Sequence, residues 1–170
     1  MLNVNTLGVV TMRFTSILTV AATAAITITA LQFSAPAKAD AFAEAEEAVE
    51  YRQKAFSLIR ENFGHMAGMV RGEIEFDAES FQNRAEALKH LSYIPFDGFA
   101  GAGHGVTENS EALPGIWENW DDFNEKADAF NKAAHELAKA SQGADLRSLR
   151  PSFMATARTC QQCHDEYRAD

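Results

Sequence analysis

Both cysteines of this 170-residue chain lie in one pentapeptide, Cys160-Gln161-Gln162-Cys163-His164. Two thiols three residues apart, with an imidazole directly behind, suit few kinds of chemistry. The thiols can bond covalently to the two vinyl groups of a haem, and the adjacent histidine can then reach the iron. Cys-x-x-Cys-His is the spacing of c-type haem attachment, and a proximal histidine is a standard haem iron ligand. Three other readings compete. A disulfide between the two would close a very small loop and tie down nothing distant. A structural zinc site needs four ligands, and only three are local here. A thiol redox motif would open a helix after a strand, whereas this one falls at the end of a helical pattern.

The phase of that pattern decides where the three side chains point. On a helix, residues three and four apart share a face, so Cys160, Cys163 and His164 project together. They continue a seam formed by Leu146, Leu149, Phe153, Thr156, Cys160, Cys163 and Tyr167, spaced alternately by three and four. Three earlier segments carry the same signature of a helix packed along one face. A first helix is predicted over 43–70 on Val49, Arg52, Phe56, Ile59, Phe63, Met66 and Val70, with Gly72 as its stop. A second is predicted from an Asp77 cap to Tyr93 on Phe81, Ala85 and Leu88, closed by Pro95. A third is predicted over 116–142 on Ile116, Trp120, Phe123, Ala127, Phe130, Ala134 and Leu137, with Gly143 in the place of a C-cap glycine. No segment reads as a strand. Four amphipathic helices with mostly short links predict an all-α, antiparallel four-helix bundle.

Three features break the regularity. The link from Ile94 to Gly115 holds five glycines and two prolines, and a loop of that length in a compact domain tends to be functional or mobile. Pro151 falls where the fourth helix should already be running, which predicts a kink or a separate first turn there. Arg52 occupies a seam position where an apolar residue belongs. A buried arginine needs an anion, and a haem propionate would serve. The alternative is an arginine that snorkels out of the seam to water.

The beginning of the sequence reads as a secretory signal. Arg13, the fifteen-residue run Ile17–Leu31 and Ala37-Lys38-Ala39 follow the order of basic start, apolar middle and small-residue cleavage site. The expected division is a cleaved signal over 1–39, with translation starting at Met12, and one domain over 40–170. The apolar run is short for a membrane span, so no membrane association is expected after cleavage. The domain's net charge, −11 against −9 for the whole chain, argues against nucleic acid, whose phosphates it would repel.

Taken in order, four stretches resemble the cytochrome c' family: E-E-A-V-E-Y-R-Q-K-A-F (Glu46 to Phe56), L-K-H-L-S-Y-I-P-F (Leu88 to Phe96), I-W-E-N-W (Ile116 to Trp120) and C-Q-Q-C-H-D-E-Y-R (Cys160 to Arg168). The resemblance spans 44–168, and Pro151 departs from it. It implies one covalent haem c, held by thioether bonds from Cys160 and Cys163, with His164 as the axial iron ligand. It places Arg52 and Gln53 against a propionate, Phe56 on the distal side and Arg168 beside the proximal imidazole. Core packing alone would also account for Phe56.

If Phe56 covers the sixth position it offers no lone pair, and the iron stays five-coordinate and high-spin. The resemblance then implies a non-enzymatic periplasmic protein of a Gram-negative bacterium, binding NO and CO for NO sequestration or sensing. A one-electron redox role with a partner protein is open, and a homodimer is expected. A peroxidase would need a distal acid–base group, which Phe56 does not supply. The rival is a low-spin, methionine-ligated electron carrier. Met66 and Met69 are the candidates nearest Phe56 on the first helix, but Met66 lies ten residues on, about 15 Å along the axis, and reads as core. His65, His90 and His135 are expected at the surface, and His104 is a remote candidate for the sixth ligand.

Overall fold

A computed structural model of the chain describes residues 41–143 and 145–169. The expected signal segment, 1–39, lies outside the described residues. Four long helices build the bundle: α1 (Ala45–Arg71), α2 (Ala78–Leu91), α4 (Trp120–Ala140) and α5 (Leu146–Tyr167), with a single turn, α3 (Gly115–Glu118), ahead of α4. α1 packs on α2, α2 on α4, and α4 on α5. The described residues form no strand; one isolated antiparallel bridge joins Ala112 to Arg168.

The helix ends follow local chemistry. Gly72 stops α1 in the left-handed region at φ 78°, where its N–H reaches back to the carbonyls of Gly68 and Met69. A residue without a Cβ adopts that conformation at least cost. Asp77 and Asp145 cap α2 and α5, their carboxylates accepting from the N–H of Ser80 at 2.7 Å and of Ser148 at 2.9 Å. Each such cap contributes about 1 kcal/mol.

The predicted seams are the core. Val49, Ile59, Met66, Val70, Phe81, Ala85, Leu88, Phe130, Ala134, Leu137, Leu149 and Phe153 are all buried. Burying each large apolar side chain is worth roughly 1.5–3 kcal/mol. Where α1 and α5 meet, Phe63 stacks on Phe153 with ring centroids 4.5 Å apart. Arg150 adds a hydrogen bond of 2.9 Å to the carbonyl of Val70.

Three expectations about helices need correction. The third helix is not continuous: Asn119 leaves the helical region (φ −125°, ψ 49°) and separates α3 from α4. Trp117 just before the break donates its indole N–H to the Phe99 carbonyl at 2.9 Å, a tertiary bond that fixes α3 independently of α4. The C-cap of α4 is Ser141, and Gly143 takes φ 69° in the turn beyond it. Pro151 does not separate a first turn, because α5 runs unbroken from Leu146. Proline there removes the hydrogen bond to the Arg147 carbonyl and crowds that carbonyl, but Arg147 is exposed to water.

The glycine-rich link is folded. Pro95 does not close α2, which ends at Leu91, but sits in the first of two 3-10 turns, Ile94–Phe99 and Gly101–Gly103. Both turns lie on α1. At Gly98 a Cβ would come within 2.6 Å of the Ala48 carbonyl oxygen, so this close approach of backbone to helix requires glycine.

Candidate functional site

Residues of α1 and α5 line one cavity of about 860 Å³. This is within the size range of cofactor sites. Cys160, Cys163 and His164 line it from α5, and Arg52, Gln53 and Phe56 from α1. Arg168, just past the end of α5, completes the predicted set. All seven side chains singled out in the sequence therefore meet at one cavity, although they come from opposite ends of the described chain.

A cluster of aromatic rings forms part of the wall. Phe56 is held edge-on by Phe96 (centroids 6.0 Å, interplanar 87°) and Phe99 (6.3 Å, 70°). Phe123 packs behind them, 5.8 Å from Phe96 and 5.0 Å from Phe99. Such edge-to-face pairs suit the ring quadrupoles and fix ring orientation.

Neither cysteine is in a disulfide, and both are partly buried. Burial pushes the Cys163 thiol up to about 11 and raises that of Cys160, so both stay protonated at neutral pH. His164 opens onto the cavity, yet the protein around it lowers its pKa; the Arg168 charge lowers it further, against Asp165 and Glu111. The imidazole thereby keeps the neutral form that a metal requires.

Arg52 is 1% exposed, so it does not snorkel. Its guanidinium donates to the carbonyls of Gly98 (3.0 Å) and Val106 (2.6 Å) and to the Ser110 hydroxyl (3.0 Å), and lies 4.4 Å from the centre of the Phe99 ring. The partners a buried arginine needs are thus supplied by the glycine-rich link. Gln53 donates to the Asn109 carbonyl at 2.7 Å. Arg168 turns out of the helix and pairs with Glu111, Nε to Oε2, at 2.6 Å.

Several lining residues were not singled out as site residues from the sequence. Ile116, Phe123, Phe130 and Tyr167 read as seam positions, which hid their second role. Lys126, which lines the cavity and pairs with Asp122 at 2.8 Å and Glu166 at 3.3 Å, carried no signal beyond its charge. Ser110 and Glu111 lie in the link, where no periodicity points to them.

Other candidates fall elsewhere. Met66 is fully buried in the core and Met69 nearly so, and neither lines the cavity. His104 is exposed beside Trp117 and Trp120, also off the cavity wall. His90 and His135 are exposed, and His65 is half-buried.

Fold and site together define a haem-binding helical bundle: an apolar cavity, two neutral thiols and a neutral imidazole on one helix, and basic side chains in the lining. Comparison with known proteins agrees. Residues 47–168 match the family model for cytochrome C'. The chain is 39% identical over 127 residues to the cytochrome c' of Alcaligenes xylosoxydans xylosoxydans, covering 75% of this chain and 97% of that protein. The solved structure of cytochrome c prime from Shewanella frigidimarina superposes with a TM-score of 0.72 at 40% identity, covering 76% of this chain and 99% of the other. A nitric oxide complex of a variant cytochrome c prime from Alcaligenes xylosoxidans does so with a TM-score of 0.69 at 36% identity, covering 76% and 98%. The chain belongs to the cytochrome c' family, whose members carry a covalently bound haem c.

Proposed function

We propose that the protein is a five-coordinate haem c protein that binds small diatomic gases, NO foremost, in order to sequester or sense NO. The observation that carries this reading is the position of Phe56. It lines the same cavity as His164, braced by Phe96 and Phe99, and among the described residues no methionine lines that cavity. Phenylalanine has no lone pair for iron, so the sixth position is open only to ligands small enough to displace the ring. The nitric oxide complex of the Alcaligenes relative supports the choice of gas.

In this reading Cys160 and Cys163 would hold the haem through thioether bonds, and His164 would ligate its iron. An arginine has five N–H donors. The link takes three from Arg52, which leaves two for a propionate, with Gln53 beside them. Arg168 supplies positive charge on the proximal side. The proposal includes no turnover of a substrate, because Phe56 offers no distal proton donor or acceptor.

The chain is read as exported to the periplasm after removal of 1–39, with one haem domain over 40–170. Among the described residues no helix is long and apolar enough to cross a membrane. Exposed Leu58 on α1 suits the expected homodimer, and a redox partner protein would exchange one electron through the haem edge.

The test is the visible spectrum of the haem-loaded protein in the ferrous state, with and without CO. A broad high-spin spectrum that changes with CO and NO is expected. Sharp low-spin bands indifferent to CO would replace this reading with that of an electron carrier. His164→Ala should abolish the native spectrum, and Phe56→Met should shift it towards six-coordinate behaviour.

A further inference from the structure

The segment from Val106 to Leu113 joins α1 to the end of α5, and its residues 109–112 line the cavity. On the α1 side, Val106 and Ser110 accept from Arg52, and Asn109 accepts from Gln53. On the α5 side, Leu113 N–H donates to the Tyr167 carbonyl at 3.0 Å, and Ala169 N–H to the Glu111 carbonyl at 2.8 Å. The Ser110 hydroxyl that accepts from Arg52 also accepts from the N–H of Ala112 at 3.1 Å. Glu111 stands between these two anchorages and gives its own carboxylate to Arg168.

From these contacts we infer that Glu111 is a positioning residue for the proximal side of the iron. It acts through Arg168, setting where that guanidinium stands relative to His164 and how much of its charge the haem senses. The inference rests on the haem-binding reading above.

Two observations give the pair this role. First, the Glu111 and Arg168 side chains are 64% and 50% exposed, and an ion pair that open contributes little to stability. A purely structural purpose is therefore poorly served by it. Second, the pair is preorganised. The backbone of Glu111 is bonded to the residue after Arg168, and the backbones of Ala112 and Arg168 are bridged. Holding two long side chains in one geometry normally costs entropy; here the backbone has already ordered both partners. Both side chains line the cavity with His164, so a change in their pairing changes the field at the imidazole and the iron.

The experiment is a double-mutant cycle on the haem-loaded protein at low ionic strength. It uses the parent, Glu111→Gln, Glu111→Asp, Arg168→Gln and the double variant Glu111→Gln/Arg168→Gln. The readouts are the reduction potential and the iron–imidazole stretching band of the ferrous form. Glu111→Gln leaves Arg168 unneutralised, disfavours the more positive ferric state and should raise the potential. Glu111→Asp should recover part of the parent value. In the Arg168→Gln background the Glu111→Gln shift should fall to about half or less, since coupled residues are not additive. The stretching band should move in Glu111→Gln and stay put when Arg168 is already gone. A Glu111→Gln shift of the same size in both backgrounds would make Glu111 an ordinary nearby charge and overturn the inference. No shift in either background would overturn it too. A parent protein without five-coordinate haem would instead sink the reading beneath it, and that shows before any variant is made.

Discussion

Phe63 of α1 lies flat on Phe153 of α5, with their ring centroids 4.5 Å apart and their planes 7° from parallel. Only one ring of the stack reaches the cavity: Phe63 lines it, while Phe153 is buried in the core and touches Phe81 edge-on. Phe153→Ala should therefore cost about 3–5 kcal/mol, read by chemical denaturation of the haem-loaded protein. Phe153→Leu should cost clearly less. Equal losses from both would mean that the ring stack itself, and not the volume it fills, carries the stability.

Arg52 organises the glycine-rich link before it can meet any propionate. Removing its guanidinium strands the Gly98 and Val106 carbonyls and the Ser110 hydroxyl. Bonds to a charged donor are worth about 1.5–3 kcal/mol each, and an unpaired buried acceptor carries its own penalty. Arg52→Leu should thus destabilise by at least about 2 kcal/mol. It should also speed amide exchange across 98–113 selectively. Exchange that rises uniformly over all four long helices would show that Arg52 supports the bundle and not the link.

The Tyr167 hydroxyl donates to Asp122 at 2.5 Å. Burial and then this hydrogen bond hold its pKa up, to about 12, against an ordinary value of about 10. The fold favours the neutral phenol, so its contribution is whole below about pH 10 and is lost as pH rises through 12. Tyr167→Phe, with nothing to ionise, should flatten the fall in stability across that window, at a loss of about 1 kcal/mol near pH 7. If parent and variant fall equally steeply between pH 10 and 12, the phenol is not the group responsible.

Gly98 permits the link to touch α1. An added Cβ would meet the Ala48 carbonyl oxygen at 2.6 Å and the Arg52 Cβ at 3.0 Å, neither of which can swing away. Gly98→Ala should cost about 1–3 kcal/mol through overpacking and should loosen the Arg52 bond to residue 98. A melting temperature equal to the parent's would contradict so tight a fit.

The helices were legible because a period of three and four is a local property. Each residue on the four seams could be placed from its neighbours alone, and so could the convergence of Cys160, Cys163 and His164. The break at Asn119 was not legible, since Ile116, Trp120 and Phe123 keep the rhythm straight through it. The bond from Trp117 to the Phe99 carbonyl that accompanies it is a tertiary contact, which no local pattern announces. The partners of Arg52 were hidden for a related reason: they are mainly carbonyls, which every residue has, so no side-chain type announces them. Pro151 misled in the opposite direction. A helix tolerates the loss of one hydrogen bond where water can reach the stranded carbonyl, and exposure cannot be read from residue type.

Everything that would tether a prosthetic group to this chain sits within five consecutive residues of α5, whereas the rings that would shield it, Phe56, Phe96 and Phe99, come from α1 and the turn beside it. Anchoring and selectivity are therefore written in separate passages of the polypeptide. Natural variation can redraw the antechamber, admitting one visitor and turning away another, without ever unsettling the mooring.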